Sequence, residues 1–591
     1  MTIEIAVVLA GICFMMAGLF LEVVRPDLLV FFTLFLFLML GFVTPEEALA
    51  GFSNQGMMTV ALLFVVAGVF EKSGLIERLM TSFLADTKSG RAAMGKLLVP
   101  VSAFSAFFNN TPIVATLTPV VRRWTSKHNI SPSRYLLPLS YASILGGTIT
   151  LIGTSTNLVI HGLLIDAGER GFSFFQLAWV GVPITVAGLL YLLVFGPHLL
   201  PDHRSMIQRV RENTKDYLSE MRVTAEFPYA NATVEEAQLR NLKGVYLIEI
   251  IRGKNRISPV SSKTLVQAGD RLVFTGMIST IADLQKRKGL EVNTGTDLSL
   301  DNIKNGNSRL VEAVVSHQSS LTHQTIKQSR FRETYDAAVV AVHRNDERVE
   351  GKIGDIVPKA GDLLLLVSGP DFNERIRERK DFYITTPLEE QKFYEDESQG
   401  WITLILLMGM IGLVMLDLLS IFQAMVIMVG ILFAAKISSP TEAKASVQFQ
   451  VLLLIASALG IGNVITATGT ADWIAQAMIG GLEPLGIAAV LVSLYLLTNI
   501  FTEFITNNAA AVIMFPIAYE IALEMGMDPV GMAVLIAIAA SASFLSPIGY
   551  QTNLIVFGPG GYSFADYFRI GFPLTLICMA TTVSIVYFIY M

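Results

Sequence analysis

Long apolar runs dominate both ends of the chain and are missing from its middle. Ile5–Val24, Leu28–Val43, Met57–Phe70 and Leu574–Tyr590 carry almost no charge, and most approach the roughly 20 residues a helix needs to cross a bilayer. Residues 1–200 are apolar, 203–395 polar and 400–591 apolar again. Pro201-Asp-His-Arg-Ser-Met-Ile-Gln-Arg-Val-Arg closes the first apolar part, and Tyr394-Glu-Asp-Glu-Ser-Gln precedes the span that opens at Trp401. Each apolar part reads as five spans plus one re-entrant hairpin. In the first, the spans are about 3–24, 27–43, 55–71, 135–164 and 176–198, with a hairpin near 95–121. In the second they are about 401–418, 420–436, 448–467, 529–557 and 571–590, with a hairpin near 487–518.

Charge orients these spans, because Lys and Arg close to a membrane favour its cytoplasmic side. Lys72, Arg78, Lys88, Arg91 and Lys96 precede the first hairpin, and Arg122, Arg123, Lys127 and Arg134 follow it. That hairpin is expected to enter from the cytoplasm. Arg204, Arg209 and Arg211 after the fifth span put the polar insert on the same side. The second hairpin is flanked by Asp472, Glu483, Glu520, Glu524 and Asp528, and is expected to enter from outside. Five spans is an odd number, so a repeated half must be inverted. Both termini then lie outside.

The repeat is visible in the polar residues. Asn109-Asn110-Thr111 in the first half is echoed by Thr506-Asn507-Asn508 in the second, and Asn110 and Asn507 are each followed nine residues on by a proline, Pro119 and Pro516. Gly153-Thr-Ser-Thr-Asn157 lies 47 residues past Asn110, and Gly549-Tyr-Gln-Thr-Asn553 lies 46 past Asn507, counted Asn to Asn. Phe172-Ser-Phe with Val180-Gly-Val-Pro183 is matched by Tyr562-Ser-Phe with Ile570-Gly-Phe-Pro573. Four echoes in order, in halves of opposite expected topology, indicate an inverted duplication.

Each echo interrupts apolar sequence. Backbone at membrane depth leaves the helix only where protein or a water-filled cavity satisfies its polar groups. Transporters use such breaks near the midplane: freed carbonyls coordinate cations, and helix N-termini face anionic substrate groups. Asn and Thr suit the task, because their oxygens coordinate a hard cation while NH₂ and OH groups donate to an anion. A lone Asn would more often only glue helices together; two symmetric Asn-rich hairpins with two symmetric breaks point to a site.

These paired motifs resemble the divalent anion/sodium symporter superfamily, whose members carry Ser-Asn-Thr at each hairpin tip and a Gly/Ala-x-Pro-Pro-Asn break in the following span. The resemblance covers both membrane parts, about two-thirds of the chain. It implies homodimers, elevator-type motion of a transport domain against a scaffold, and sodium as the coupling ion, with no other cofactor. Carried over by position, it implies one sodium site at Ser105, Asn109, Asn110 and the Gly153 carbonyl, and a second at Thr502, Thr506, Asn507 and the Gly549 carbonyl. The small anion substrate would touch Asn110, Thr111, Thr154, Asn507 and Asn508.

The chain departs from the family pattern where the substrate would lie. Its triplets are Asn-Asn-Thr and Thr-Asn-Asn, and Ser155-Thr156 and Gln551-Thr552 replace the paired prolines. Hydroxyls and amides in place of apolar groups point away from a dicarboxylate. They point to a compact tetrahedral oxyanion, sulfate first, and to the sulfate-transporter-like branch, which also carries a soluble insert. Glu503, four residues before Asn507, is a further coupling candidate, although Ala106 stands at the matching place in the first half. His161 reads as an interface residue.

Residues 206–290 and 308–386 look like two copies of one small α/β module. Gly244-Val-Tyr-Leu-Ile-Glu-Ile-Ile-Arg-Gly-Lys and Val266-Gln-Ala-Gly-Asp-Arg-Leu-Val-Phe-Thr-Gly276 are followed by a helix-like Ile278–Lys286. Ala337-Ala-Val-Val-Ala-Val-His-Arg-Asn-Asp and Pro358-Lys-Ala-Gly-Asp-Leu-Leu-Leu-Leu-Val-Ser-Gly369 repeat the scheme, with Ala-Gly-Asp as the turn before an apolar strand. Both copies resemble the TrkA-C domain of potassium-conductance regulators, which implies dimerisation and a small effector, an ion or a cyclic dinucleotide. The insert lacks the Gly-x-Gly-x-x-Gly turn that nucleotide control of that kind needs.

The predicted fold class is therefore an α-helical membrane protein, an inverted repeat of five spans plus one re-entrant hairpin in each half, with a soluble insert of two TrkA-C-like domains. The divisions fall at 1–202, 203–300, 301–395 and 396–591.

Composition narrows the alternatives. With 52% hydrophobic and 16% charged residues, the chain lies well below the roughly 25% charge of soluble proteins. A net charge of −6 argues against a nucleic-acid partner. Met1-Thr-Ile-Glu-Ile lacks a basic leader, so the first span is expected to be retained in the inner (plasma) membrane. Cys13 and Cys578 both fall in apolar runs and are expected to be buried thiols. A channel gated by the insert would need a Thr-Val-Gly-Tyr-Gly filter, and an enzyme a His-Glu-x-x-His or Gly-x-Ser-x-Gly signature; the sequence has none of these.

Overall fold

The computed structural model describes residues 2–590 except 21–23, 86–89, 129, 203–217, 240–244, 254, 258–259, 261–262, 277–287, 293–308, 317–318, 345–346, 350, 352, 370, 378, 380 and 388–396. The helix expected over Ile278–Lys286 lies outside the described residues. Seven described helices are long and apolar enough to cross a membrane, among them Ala178–Leu199, Phe449–Ala467 and Phe564–Tyr590. The helices Ile3–Phe20, Pro26–Met39 and Ile421–Ala434 are apolar but shorter.

The helices before and after the insert follow one order. Before it come Ile3–Phe20, Pro26–Met39, the short Pro45–Leu49, Gln55–Ser73, Leu75–Ala85, the hairpin Arg91–Ser105 and Asn110–Lys127, the interrupted pair Ser133–Gly147 and Ser155–Asp166, and Ala178–Leu199. After it come Glu397–Met415, Ile421–Ala434, Pro440–Ser446, Phe449–Ala467, Thr470–Leu482, the hairpin Ile487–Phe504 and Asn507–Met525, the pair Pro529–Ser541 and Gln551–Gly560, and Phe564–Tyr590. The helices Leu75–Ala85 and Thr470–Leu482 extend the sequence reading, which has connecting sequence there.

Local chemistry fixes the ends. Thr44-Pro-Glu-Glu47 and Ser439-Pro-Thr-Glu442 each close a capping box with proline at the first helical position, so two orphan N–H groups are satisfied reciprocally. Asn109 and Thr506 cap the second arm of each hairpin by accepting from Thr111 and Ala509 N–H at 3.4 Å.

The hairpins and interrupted spans of the two halves interlock. Gln551–Gly560 packs on Ser133–Gly147 and Asn110–Lys127, and Asn507–Met525 packs on Ser155–Asp166. Among the remaining helices, Pro26–Met39 packs against Phe449–Ala467 and Ile421–Ala434 against Gln55–Ser73. Their outer faces carry large apolar side chains such as Phe14, Met39, Ile405 and Phe588, as a lipid-facing surface requires. Cys13 belongs to that face and is exposed, whereas Cys578 is buried. This corrects the expectation of two buried thiols: an apolar run in lipid has an outside that is still apolar.

The insert holds two antiparallel five-stranded sheets. The first joins β1 (Leu218–Val223), β2 (Val245–Arg252), β3 (Asn255–Ile257), β4 (Arg271–Gly276) and β5 (Leu290–Val292) in the order β3-β2-β4-β1-β5. The second joins β6 (Arg309–Val315), β7 (Ala337–Arg344), β8 (Glu347–Arg348), β9 (Leu363–Ser368) and β10 (Phe382–Pro387), and its order β8-β7-β9-β6-β10 is the same one. The turns also match. Arg252 forks onto Asp270 at 2.8 and 2.9 Å and reaches the Leu265 carbonyl, while Arg344 forks onto Asp362 at 2.8 Å and reaches the Val357 carbonyl. Each Asp also accepts a backbone N–H three residues upstream, from Gln267 and Lys359, at 2.8 Å. The Ala-Gly-Asp turn is therefore held by a bidentate charge-assisted pair.

Candidate functional site

Both spans that carry a Gly-x-x-Thr-Asn motif break at it. Seven residues separate the end of Ser133–Gly147 from Ser155, which begins the next helix, and Pro529–Ser541 likewise stops before Gln551 begins its helix. An interrupted helix leaves carbonyls without partners, and one asparagine in each half takes up that role. Asn157 Nδ2 donates to the Gly147 and Thr150 carbonyls at 3.2 and 2.9 Å. Asn553 Nδ2 donates to the Ser543 and Ser546 carbonyls at 3.0 and 3.1 Å. The partners lie ten and seven residues upstream in both cases.

The first turns of four helices, those opening at Asn110, Ser155, Asn507 and Gln551, meet through hydrogen bonds between the halves. Asn110 is fully buried; its Nδ2 donates to the Tyr550 hydroxyl at 2.7 Å and its Oδ1 accepts from Ser105 at 2.5 Å. Thr154 and Tyr550 bring their hydroxyls to 3.1 Å. Thr111 donates to Gln551 Oε1 at 3.0 Å. On the other side Asn508 Oδ1 accepts from both Ser155 and Thr156 at 3.1 Å. The side chains in these contacts are all neutral. Four helix N-termini, each equivalent to roughly half a positive charge, face them. Neutral donors at helix N-termini bind an anion without a buried cation.

The residues proposed for cations surround this cluster. Ser105 Oγ lies 3.0 Å from Ser143 Oγ, and a side chain on Gly147 would strike the Asn110 amide. Asn109 and Thr506 act as caps, with Gly153 inside the first break, its N–H directed at the Thr150 carbonyl at 3.4 Å. In the second half Thr502 donates to the Ala540 carbonyl at 2.7 Å, and Gly549 N–H donates to Ser546 Oγ at 3.0 Å. A side chain on Gly549 would meet the Thr502 carbonyl and Glu503 Oε2. Asn507 is half-buried and makes no side-chain hydrogen bond to the described residues, so the Ser105–Asn110 bond has no counterpart between Thr502 and Asn507. Glu503 is buried, and its Oε1 accepts Leu545 N–H at 2.9 Å, inside the second break. His161 accepts Phe172 N–H at Nδ1, 2.9 Å, and braces the loop that follows the helix Ser155–Asp166. No group of three or more His, Cys, Asp or Glu side chains gathers among the described residues.

Tyr550 and Ser143 escape the sequence reading, whereas Gln551 is singled out there as a replacement for a family proline. A signal for Tyr550 was present, since it lies three residues before Asn553 as Thr154 lies before Asn157, making it the repeat counterpart of a residue already placed at the substrate.

Interlocked hairpins and broken spans around neutral donors define a multi-pass membrane transporter of small anions, and the chain is not an enzyme. The citrate transporter family model matches residues 12–537, and the chain belongs to that family. It is 33% identical to a putative sulfur deprivation response regulator of Chlamydomonas reinhardtii, across 95% of this chain and 98% of that protein. An uncharacterized transporter of Synechocystis is 30% identical across 99% and 97%. A sodium/sulfate cotransporter of C. reinhardtii is 26% identical across 94% of this chain and 86% of its own length.

Proposed function

We propose that the chain imports a compact divalent oxyanion, sulfate first, together with sodium. The observation that carries this reading is the meeting of four helix N-termini around neutral donors, with Asn110 bonded to Tyr550 across the halves. A tetrahedral dianion offers acceptors in several directions, and donors from the first hairpin tip and both breaks match it. The sodium/sulfate cotransporter relative supports both solutes. The sodium sites are the sets around Asn110 and Asn507, where neutral oxygens and freed carbonyls would supply the coordination. A dicarboxylate is the second reading, favoured by the family's description as citrate transporters.

The two halves are inverted copies. Contacts between them agree in side: Lys72 pairs with Glu442, and Tyr562 bonds the Ser133 carbonyl, all at ends assigned to the cytoplasm. Gln176 donates to Tyr590 and Asn463 to the Glu47 carbonyl, all at ends assigned to the outside. Hairpins and broken spans form the moving body of an elevator, and the paired helices Pro26–Met39 with Phe449–Ala467 and Ile421–Ala434 with Gln55–Ser73 belong to its scaffold and the homodimer contact. The insert is cytoplasmic, its modules are TrkA-C-like, and a small effector acts through them.

A thermal-shift panel of sulfate, phosphate, bicarbonate and succinate, each with and without sodium, tests the reading, because a ligand of the native state raises its stability. Sulfate with sodium is expected to give the largest shift; a larger shift with succinate would hand the site to dicarboxylates. Asn110→Ala and Asn507→Ala are expected to abolish sodium-driven uptake in proteoliposomes with expression and assembly intact. Normal uptake by both would remove the site.

A further inference from the structure

The duplicated breaks are not equal at one position. Thr154 and Tyr550 occupy the same place in their halves, each the residue between the break glycine and the following helix. Both have extended backbone there, with φ of −140° and −138°, so both side chains leave the chain in the same local geometry. Their hydroxyls meet at 3.1 Å, and Asn110 Nδ2 reaches the same phenol at 2.7 Å. One half thus contributes a short hydroxyl and the other a hydroxyl at the end of a ring. The ring is buried and fills the distance between the second break and the tip of the first hairpin.

From this asymmetry we propose that Tyr550 is the specificity-determining residue of the site: its ring limits the anion to a compact oxyanion, and its hydroxyl donates to that anion. The proposal rests on the function proposed above. The phenol has one hydrogen. It accepts from Asn110, so that hydrogen is directed at Thr154 or at a substrate oxygen. An oxyanion that displaces these mutual bonds would have the Asn110 amide, the Thr154 hydroxyl and the Tyr550 hydroxyl as three donors. A longer anion with carboxylates at both ends has to place its carbon chain where the ring stands. Gln551, which accepts from Thr111 at 3.0 Å, extends the same wall by one residue. Size and donor number thus act together: the ring excludes by volume, and the hydroxyl rewards an acceptor at short reach.

Two substitutions separate these roles. Tyr550→Phe keeps the ring and removes the donor. Hydrogen bonds to a charged group are worth enough that the KM for sulfate is expected to rise on the order of tenfold to a hundredfold, with succinate still excluded. Tyr550→Ala removes the ring, and succinate is expected to become a competitive inhibitor and a transported substrate. The test uses the full-length protein in proteoliposomes, with sodium-driven uptake of labelled sulfate and succinate. The sodium-dependent thermal shift is measured beside it and shows that each variant is folded and still binds a ligand of the native state. A merely structural tyrosine would not yield a new substrate. Unchanged sulfate KM in Tyr550→Phe, or continued exclusion of succinate by a folded Tyr550→Ala, overturns the proposal. The wild type decides the underlying reading separately. Succinate uptake without sulfate uptake by the wild type overturns both, and uptake of phosphate or another compact oxyanion replaces sulfate as the probe and leaves the variants decisive.

Discussion

At the scale of single residues, Asn157 and Asn553 explain why helix breaks are stable inside a membrane. A carbonyl released from its helix costs free energy unless something donates to it, and each asparagine serves two such carbonyls at matching positions. Asn553 is held in turn, since Ser140 Oγ lies 2.8 Å from its Oδ1. Asn157→Ala is therefore expected to lower stability by roughly 1–3 kcal/mol, the cost of buried acceptors left unmade. Thermal unfolding in detergent measures it, with Asn157→Leu expected to be no better because it replaces volume and not donors. A loss below about 0.5 kcal/mol would mean that other groups satisfy those carbonyls. The echo of Asn157 and Asn553 was legible in the sequence as spacing. Its role was not, because only the fold reveals which carbonyls the break releases.

At the scale of elements, the helix Gln551–Gly560 joins the site to the insert. Its first residue bonds Thr111, and its last turn lies against the second sheet, with Gly558 facing the Gly361 carbonyl and Leu363. The second arm of the first hairpin does likewise. It opens at Asn110 and carries Arg122 into a buried ion pair with Glu312 of β6. The duplicated insert explains how this pair arises. Glu220 occupies the place of Glu312 in the first sheet and pairs with Arg271 of its own β4. In the second sheet Leu363 stands where Arg271 does, so Glu312 pairs outside its module. Glu312→Leu alone leaves Arg122 buried without this carboxylate and is expected to cost roughly 3–5 kcal/mol. The double change with Arg122→Leu is expected to recover most of that loss, and a thermal-unfolding double-mutant cycle measures the coupling; additive losses would show that the two charges do not act on each other. Hairpins and broken spans were legible as polar residues in apolar sequence, and the paired modules as Ala-Gly-Asp turns. The Arg122–Glu312 contact was not legible, because it joins residues 190 positions apart that no repeat relates. The helices Leu75–Ala85 and Thr470–Leu482 escaped because each is too short to span and lies beside a hairpin whose own signal is stronger.

At the scale of the whole molecule, the order of helices before and after the insert makes the inverted arrangement testable with two short elements. Pro45–Leu49 and Pro440–Ser446 share a capping box and a leading proline, and each precedes a long apolar helix that begins at Gln55 or Phe449. They are counterparts by order and by local chemistry. In a parallel duplication they would lie on one side of the membrane; in an inverted one they lie on opposite sides. Their contacts favour the second. Glu442 pairs with Lys72, a basic residue that the charge rule assigns to the cytoplasmic side in the proposed topology, while the Glu47 carbonyl accepts from Asn463 at 2.9 Å, twenty-one residues past Glu442 and toward the far end of the next helix. Glu46 and Thr441 are exposed, so each tolerates a cysteine. With Cys13→Ser and Cys578→Ser as background, Glu46→Cys is expected to react with a membrane-impermeant maleimide added outside intact cells. Thr441→Cys is expected to react only after the membrane is opened. Labelling of both from the same face would leave the halves as parallel copies, and the charge asymmetry around the two hairpins would then need another cause.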